Sequence, residues 1–318
     1  MDEILQRIAL DLLLPLSFVR QTVMHAPMRV KRFTIRKRTG GSREIIQPSV
    51  ALKPILSWLG SELLASLPVH PIATAFRPGQ SILDNAIAHS SSRYSVRVDV
   101  SAFFPSIRQK DLQQVLLSCR DSLPRWASEP DGLALVSKVC FDRYGMLPIG
   151  YSTSPAIANA VMFQIDTRLA EIVSKATEFG NAVLTRYADD FVFSTDAVGA
   201  CNKFVVKVGE VFAATDSPKL SINADKTRYM SRGGGSTLVT GLRVNNLGNV
   251  VVHADYRDHV RLLLKLYKVG KLRVEDIPKL VGHLAYIQHV DPALFTKLSF
   301  KFYRDIERIR GGQSAALA

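Results

Sequence analysis

Two adjacent carboxylates constrain this chain more than any other feature of its sequence. Asp189 and Asp190 interrupt the apolar stretch 183–194, in which both halves have the composition of short β-strands. The pair therefore predicts a hairpin turn that carries acidic side chains. A third carboxylate, Asp99, ends the predicted strand Tyr94–Val100. A half-buried negative charge there is costly unless a positive group faces it.

The three carboxylates predict a metal site. We expect the hairpin turn to direct at least one aspartate toward Asp99 across a sheet. Phosphoryl transfer by two metal ions about 3.5–4 Å apart requires oxygen-rich ligands, and hard Mg²⁺ prefers carboxylate and phosphate oxygens. The sequence thus predicts two Mg²⁺ ions held by Asp99, Asp189 and Asp190. On local chemistry alone, the alternative is a structural turn beside a strand-end carboxylate.

The charge of the chain favours a polyanionic partner. Its 318 residues contain 41 Lys and Arg against 28 Asp and Glu, for a formal net charge of +13. Nucleic acid is the first candidate for such a surface. An acidic membrane is disfavoured because no stretch pairs a strong apolar face with a wholly basic one. We therefore expect no membrane partner.

The cysteines and the N-terminal segment predict a cytoplasmic location. The three cysteines are widely spaced and lack CxxC or His-ligand spacing, which argues against a disulfide framework or a zinc site. The apolar segment Ile8–Val19 contains an aspartate and a proline, so we interpret it as a packed surface helix rather than a signal peptide or a membrane span.

Helical and strand patterns interleave through the middle of the chain, and only helical patterns follow residue 255 or so. Residues 30–47 predict a basic β-hairpin that turns at Thr39–Ser42. Ser81 and Asp84 predict a capping box. Further helices are predicted over residues 52–64, 155–169, 202–213, 255–269, 275–289 and 293–310.

Several segments, in order and spacing, resemble the active-site motifs of reverse transcriptases. They are YADD at 187–190, Asp99 followed by Phe103-Phe104, and LPIGYSTSPAIAN at 147–159. The similarity continues into FTIRKRTGGSREIIQP upstream and LSINADKT downstream, so that it covers about residues 30 to 300.

Two shorter elements narrow the resemblance to the retron type. Asn85–His89 matches the NAxxH element, and Val239–Gly241 matches the VTG element, of retron reverse transcriptases. The chain therefore resembles a retron-type reverse transcriptase, which is a bacterial RNA-directed DNA polymerase. This implies an α+β right-hand polymerase fold, with an N-terminal helix and fingers over 1–95, a palm of antiparallel sheet packed by helices over 96–245, and a helical thumb over 246–318.

The resemblance assigns roles at the predicted metal site. Asp99, the backbone carbonyl of Val100, and Asp189 would ligate magnesium, and Asp190 would lie closer to the primer end. Phe104 falls where these polymerases place an aromatic ring beneath the sugar, which would exclude a 2′-hydroxyl by steric conflict.

Other matched positions would contact the nucleotide. Lys37 and Arg43 resemble finger residues that grip the triphosphate, and Lys226 resembles the lysine near the leaving pyrophosphate. Gly150 would allow close approach of the backbone. The sequence departs from the family at Ile149, where Gln is usual, so we predict no polar contact from that side chain; a second departure is Tyr151, in place of a small residue.

The remaining matched positions would contact nucleic acid. Basic residues of the thumb would hold the template–primer duplex through phosphate contacts. Together with the NAxxH and VTG elements, the predicted RNA or template–primer contacts are Asn85, His89, Thr240, Gly241, Arg257, Arg261 and Lys265.

The resemblance also implies partners and a product. Retron enzymes use dNTPs to copy part of a cognate structured non-coding RNA into a small RNA-linked DNA (msDNA) from a guanosine 2′-hydroxyl, and they commonly act in antiphage defence with a separate effector protein. The alternatives are a group II-like or other defence-associated reverse transcriptase, and a non-catalytic RNA-binding protein that kept the fold. Metal-dependent nucleotide incorporation separates an enzyme from the last of these.

Overall fold

The computed structural model describes residues 1–36 and 40–316, and the side chains of those residues up to Gly311. The N-terminal region contains α1 (Asp2–Asp11) and α2 (Leu16–Met24). The single surface helix predicted over Ile8–Val19 is wrong in its bounds, because α1 has ended and α2 begins only after Pro15. Ile8 and Val19 nevertheless face the same core, where both are fully buried.

A two-stranded antiparallel hairpin follows. It consists of β1 (Val30–Arg36) and β2 (Ser42–Pro48), which confirms the strands of the predicted basic hairpin. The backbone N–H of Ile46 donates to the carbonyl of Ile149 at 2.8 Å. This bond ties the hairpin to the loop that carries the LPIG segment.

The central sheet has four strands in the order β4-β5-β3-β6, all antiparallel. The strands are β3 (Tyr94–Val100), β4 (Val183–Tyr187), β5 (Asp190–Thr195) and β6 (Ile222–Ser231). Strands β3 and β5 are buried along most of their length because helices cover the sheet. This explains their apolar, β-branched composition.

Helices pack around this sheet and complete the central core. They are α3 (Lys53–Glu62), α4 (Ile82–Ala88), α5 (Phe103–Ser106), α6 (Gln109–Ser118), α7 (Pro130–Cys140), α8 (Ser154–Val161), α9 (Phe163–Val173), α10 (Ala176–Phe179) and α11 (Ala200–Ala213). The helix predicted over 155–169 is thus two helices that meet at Met162. The predicted capping box is confirmed, since Ser81 N–H donates to the Asp84 carboxylate at 2.8 Å and Asp84 N–H donates to Ser81 Oγ at 3.2 Å.

The C-terminal part forms most of a second core, to which Ala86 of α4 and Val192 of β5 also contribute. It contains the small sheet of β7 (Ser236–Val239), β8 (Leu242–Asn245) and β9 (Val250–Val251), followed by α12 (Ala254–Lys268), α13 (Ile277–Val290), α14 (Pro292–Lys301) and α15 (Tyr303–Ala316). Val239, Leu264 and Leu298 belong to the same buried cluster, so the small sheet and the last helices pack together. The helix predicted over 293–310 is interrupted at Phe302. Across residues 1–36 and 40–316, none of the helices is both long enough and apolar enough to span a membrane.

Candidate active site

A tight turn presents the paired aspartates. Strand β4 ends at Tyr187, β5 begins at Asp190, and these two residues pair in register, so Ala188 and Asp189 form a two-residue turn. Ala188 has φ +57°, a left-handed conformation that hairpin turns use at their first central position. The predicted hairpin turn is therefore confirmed, but only Asp189 lies within it, because Asp190 is the first residue of β5.

The central sheet brings this turn beside Asp99. Asp99 pairs with Asp190 across β3 and β5, and the backbone N–H of Val100 donates to the carbonyl of Asp189 at 2.9 Å. Asp99 and Asp189 both line a cleft of about 470 Å³. The meeting of these carboxylates, predicted from the sequence, is thus confirmed for Asp99 and Asp189.

A lysine on the neighbouring strand forms an ion pair with Asp99. Lys226 Nζ on β6 lies 3.0 Å from both carboxylate oxygens of Asp99. Asp99 is buried, whereas the Lys226 side chain is half exposed. The positive group that a buried strand-end carboxylate requires is therefore present within the chain itself.

The two aspartates of the turn have raised pKa values. Burial raises the pKa of Asp189, and the nearby negative charge of Asp99 adds to the effect, while Lys226 and Arg43 oppose it. Burial also raises the pKa of Asp190, to about 6; the Arg97 guanidinium opposes this shift, and the negative charge of Asp189 reinforces it. The site therefore concentrates negative charge in a poorly solvated place, which favours cation binding.

Asp190 has surroundings different from those of the other two aspartates. Its Oδ1 lies 3.8 Å from Arg97 Nε, and neither atom has a hydrogen-bond partner among the described residues. Asp190 is also absent from the described lining of the cleft that contains Asp99 and Asp189. The sheet thus directs two of the three predicted carboxylates into the cleft.

The donor set of the cleft fits a hard divalent cation. Carboxylate oxygens of Asp99 and Asp189 are ligands that Mg²⁺ prefers, and Val100 lies on the same wall. Within residues 1–36 and 40–316, no group of three or more His, Cys, Asp or Glu side chains is assembled for a metal. Such sites take part of their ligand set from substrate phosphates. Asp99 and Asp189, with the carbonyl of Val100, are therefore the residues that would hold the ions.

Arg43 and Phe104 line the same cleft. The Phe104 ring meets the buried Phe103 ring edge-on, with ring centroids 5.3 Å apart. Phe103 is 3% exposed and belongs to the core, as expected from the sequence. Lys37, the other predicted triphosphate contact, lies outside the described residues.

Gly150 lies against the backbone of the β1–β2 hairpin. It has φ +119°, and a β-carbon there would lie 2.8 Å from the carbonyl oxygen of Ile46. Gly150 is not among the described residues that line the cleft, whereas Ile149 is. The close approach that requires glycine is thus to the β2 backbone, and the predicted approach of Gly150 to a nucleotide stays a prediction.

The NAxxH side chains are internal. Asn85 is 1% exposed and accepts a hydrogen bond from Thr74 Oγ1 at 3.1 Å. His89 is fully buried, with its ring nitrogens 2.6 Å from Ser194 Oγ and 2.8 Å from Thr185 Oγ1, and burial lowers its pKa to about 4. The predicted direct RNA contacts of these side chains are therefore wrong in this structure: both residues anchor α4 to its neighbours.

The VTG element forms the turn between β7 and β8. Thr240 and Gly241 have φ of +47° and +84°, and Thr240 Oγ1 donates to the carbonyl of Ile82 at 3.1 Å. Gly241 is exposed. The two retron elements, far apart in sequence, are consequently neighbours.

The predicted basic residues of the thumb lie along α12. Arg257 and Arg261 both donate to Asp258. Arg261 and Lys265 line a groove of about 520 Å³. Two further lysines, Lys297 and Lys301 of α14, form its opposite side. The groove is basic, as binding to a phosphate backbone requires.

Sequence reasoning did not single out Asp142, Asn223 or Arg186. Asp142 is buried and lines the cleft while its carboxylate accepts from the backbone N–H groups of Tyr144 and Met146. Asn223 pairs with Asp99 and also lines the cleft; its place in LSINADKT was the available signal. Arg186 lies inside the central core.

Comparison with known proteins identifies the family. Residues 35–251 match the model of the family described as reverse transcriptase (RNA-dependent DNA polymerase). The chain is 37% identical to the retron Ec73 reverse transcriptase of Escherichia coli, over 91% of this chain and 92% of that one. It is 33% identical to the retron Mx162 reverse transcriptase of Myxococcus xanthus, over 82% of this chain and 58% of that longer relative.

Among solved structures, a telomerase from Candida albicans in complex with a fragment of telomeric RNA aligns with a TM-score of 0.50 at 12% identity. The alignment covers 88% of this chain and 59% of the telomerase chain, so the chain spans less than two thirds of that protein. This likeness concerns the fold alone and agrees with the predicted α+β right-hand polymerase architecture. With a family model that covers most of the chain and a retron relative aligned over nearly its full length, the chain belongs to the retron reverse transcriptases, which are RNA-directed DNA polymerases.

Proposed function

We propose that this chain copies part of a cognate structured non-coding RNA into a small DNA that remains joined to the RNA, with a guanosine 2′-hydroxyl as primer. The observation that carries the proposal is the convergence of Asp99 and Asp189 on one wall of a cleft that Arg43 and Phe104 also line. Membership of the retron family supports the choice of template and product. We propose Mg²⁺ as the cofactor because the donors are carboxylate oxygens.

In the proposed reaction, Asp99, Asp189 and the carbonyl of Val100 would hold two Mg²⁺ ions. When bound, such ions lower the pKa of the attacking hydroxyl and stabilise charge on the triphosphate. Burial raises the pKa of Asp189 and the negative charge of Asp99 adds to the effect, so the ionised form of Asp189 is costly when no cation is bound. Asp190, paired with Arg97, acts closer to the primer end.

The other cleft residues bind and select the nucleotide. Arg43 is exposed at the cleft and presents a guanidinium fork suited to phosphate oxygens. Phe104 limits the space beneath the sugar and so favours deoxynucleotides. Lys226 can move from Asp99 to the leaving pyrophosphate, because among the described residues its half-exposed ammonium contacts only that carboxylate.

The α12–α14 groove supplies a site for the phosphate backbone of the template–primer. Arg261, Lys265, Lys297 and Lys301 meet there, and binding through such contacts weakens steeply as salt rises. Gly241, exposed in the VTG turn, is a further RNA contact that we propose.

The proposal also includes a separate effector protein, action in antiphage defence, and a cytoplasmic location consistent with three free cysteines.

The decisive experiment is to purify the chain expressed from its native locus and recover its bound nucleic acid. Separate samples are treated with RNase, DNase and a 2′,5′ debranching enzyme. We expect an RNase-resistant DNA whose mobility changes on debranching, and sequencing it would identify the template. RNA without attached DNA, recovered with a polymerase that extends a supplied primer, would contradict the branched-priming proposal and favour another reverse-transcriptase class.

A further inference from the structure

A fully buried ion pair lies directly before the Ala188–Asp189 turn. The side chains of Arg186 on β4 and Asp166 on α9 are both 0% exposed. Arg186 Nε donates to Asp166 Oδ1 at 2.8 Å, and Nη2 donates to Oδ2 at 2.6 Å. These two parallel bonds fix the plane of the guanidinium group.

The third guanidinium nitrogen points at the turn. Arg186 Nη1 donates to the carbonyl of Ala188 at 3.1 Å and to Asn159 Oδ1 at 3.2 Å. Ala188 is 8% exposed and has φ +57°, which is unfavourable for a residue with a β-carbon. Since a buried carbonyl needs a donor, Arg186 helps to hold Ala188 in this conformation.

The turn is held from its other side as well. The carbonyl of Asp189 accepts from the N–H of Val100 at 2.9 Å. Both peptide carbonyls of the turn therefore have partners, one from the buried guanidinium and one from the strand that carries Asp99. These two hydrogen bonds fix the backbone from which the Asp189 side chain projects.

The same arginine connects the turn to a distant segment. Its backbone N–H donates to Ile72 O at 2.6 Å, and its carbonyl accepts from Thr74 N–H at 2.9 Å. Asn159 Nδ2 donates to Ala75 O at 3.0 Å. The end of β4, the helix α8 and residues 72–75 thus form one hydrogen-bonded unit behind the turn.

We propose that Arg186 is a positioning residue for polymerisation, oriented by Asp166 and supported by Asn159. It sets the place of the Asp189 carboxylate relative to Asp99 by holding the Ala188 carbonyl. The inference rests on the proposed metal-binding role of Asp189. An ion pair that served only the core could be replaced by apolar residues of similar volume, whereas a positioning role depends on the bond to Ala188.

Two variants distinguish a role of the Arg186–Asp166 pair in core packing from a role in holding the turn. Arg186→Lys keeps a positive charge for Asp166 but lacks the fork that reaches Asp166 and Ala188 together. The double variant Arg186→Met with Asp166→Leu removes both charges and leaves an apolar pair that keeps the core filled. Leu169→Ala is the matched control, because Leu169 is fully buried on the same helix α9 and is not bonded to the turn.

The first readout is steady-state incorporation of a dNTP on a supplied primer–template, measured below the melting temperature of every variant. We expect both Arg186 variants to lose about tenfold to a hundredfold in kcat, as small misplacements of reacting groups do, with KM for the dNTP changed less than threefold. Leu169→Ala should melt earlier but keep the kcat of the unsubstituted chain. Unchanged kcat in the two Arg186 variants, or an equal loss in Leu169→Ala, would overturn the proposal.

The second readout does not depend on activity. Amide hydrogen exchange should become faster at Val100 and across residues 187–190 in both Arg186 variants, and stay unchanged there in Asp189→Asn. Full activity of Asp189→Asn would remove the metal-binding proposal while the exchange data still report on Arg186. If both Arg186 variants fail to fold while Leu169→Ala folds, the ion pair is required for folding itself and the positioning role is rejected.

Discussion

The ammonium group of Lys226 lies 3.0 Å from each carboxylate oxygen of Asp99. A positive side chain of the protein therefore pairs with the aspartate at the end of β3. This pairing explains how a buried carboxylate on β3 is tolerated in the absence of metal ions. It also means that cation binding at Asp99 must displace or share this lysine. Lys226 therefore affects both the stability of the metal-free site and the binding of cations at Asp99.

Lys226→Met should destabilise the metal-free protein and increase its response to Mg²⁺. Lys226 is half exposed, so we expect a loss of about 1 kcal/mol, at the low end for an ion pair with one buried partner. Melting curves in EDTA and in Mg²⁺ test this, because a ligand that binds the folded state raises its stability. A variant that melts like the unsubstituted chain in EDTA would show that Lys226 does not neutralise Asp99.

Asp189→Asn should abolish DNA synthesis while leaving folding and RNA binding nearly intact. An amide cannot supply the charge that holds the cations, and several kcal/mol of stabilisation correspond to a loss of about a thousandfold or more. Primer extension, thermal melting and RNA binding are measured together. Asp121→Asn is the control, since the Asp121 side chain is 97% exposed. Synthesis at the normal rate by Asp189→Asn would remove this residue from the metal-ligand set.

Phe104→Ala should raise the use of ribonucleotides relative to deoxynucleotides by about tenfold or more, the scale of a shape-based selection in a pocket. The reason is the proposed role of the Phe104 ring, which lines the cleft and would limit the space beneath the sugar. The ratio of kcat/KM for the two nucleotide types is the measurement. Phe179→Leu serves as the control, because Phe179 is fully buried in the core and does not line the cleft, so its change should lower stability without changing that ratio. An unchanged ratio in Phe104→Ala contradicts the steric role.

The stability contributed by Asp190 should depend on pH in the direction opposite to that of an ordinary surface carboxylate. Its pKa in the folded protein is raised from 3.8 to about 6, so the folded state binds the proton more tightly than the unfolded chain does. The neutral form is therefore favourable at low pH, and that contribution is lost as pH rises from about 4 through about 6.

Asp190→Asn, which stays neutral, should gain stability relative to the unsubstituted chain over this range, by on the order of 1–2 kcal/mol. Urea unfolding in EDTA at pH 4.5 and pH 7.5 measures the difference. The Asp121→Asn control should show a difference that is the same at both pH values. A constant difference for Asp190→Asn as well would mean that its carboxyl group titrates normally.

Gly150→Ala should destabilise the contact between the β1–β2 hairpin and the loop that carries the LPIG segment. The new β-carbon would lie 2.8 Å from the Ile46 carbonyl oxygen at φ +119°, which costs about 1–3 kcal/mol. We also expect a higher KM for dNTPs, because the Ile46–Ile149 hydrogen bond holds β2 at the cleft. Gly60→Ala, in α3 with open space around it, should be neutral or slightly stabilising. Equal stability of both variants would contradict the close-approach explanation.

Local patterns predicted most of the secondary structure because periodicity and turn chemistry act over a few residues. The strand Tyr94–Val100, the Ser81–Asp84 capping box and the turn at Ala188–Asp189 all follow from neighbours in sequence. The errors occurred where an apolar pattern continued through a break, as at Pro15, Met162 and Phe302. A periodic pattern does not show where a helix bends away to pack on another element.

The sequence alone determined the family, the antiparallel strands and the identity of the acidic residues, because motifs are sets of side chains at fixed spacing. Only the tertiary structure decided which of them share a cleft. It joined Asp99 to Lys226, turned Asp190 toward Arg97, and buried His89 between two strands. These relations depend on sheet register and helix packing between segments far apart in the chain, and no local pattern specifies them.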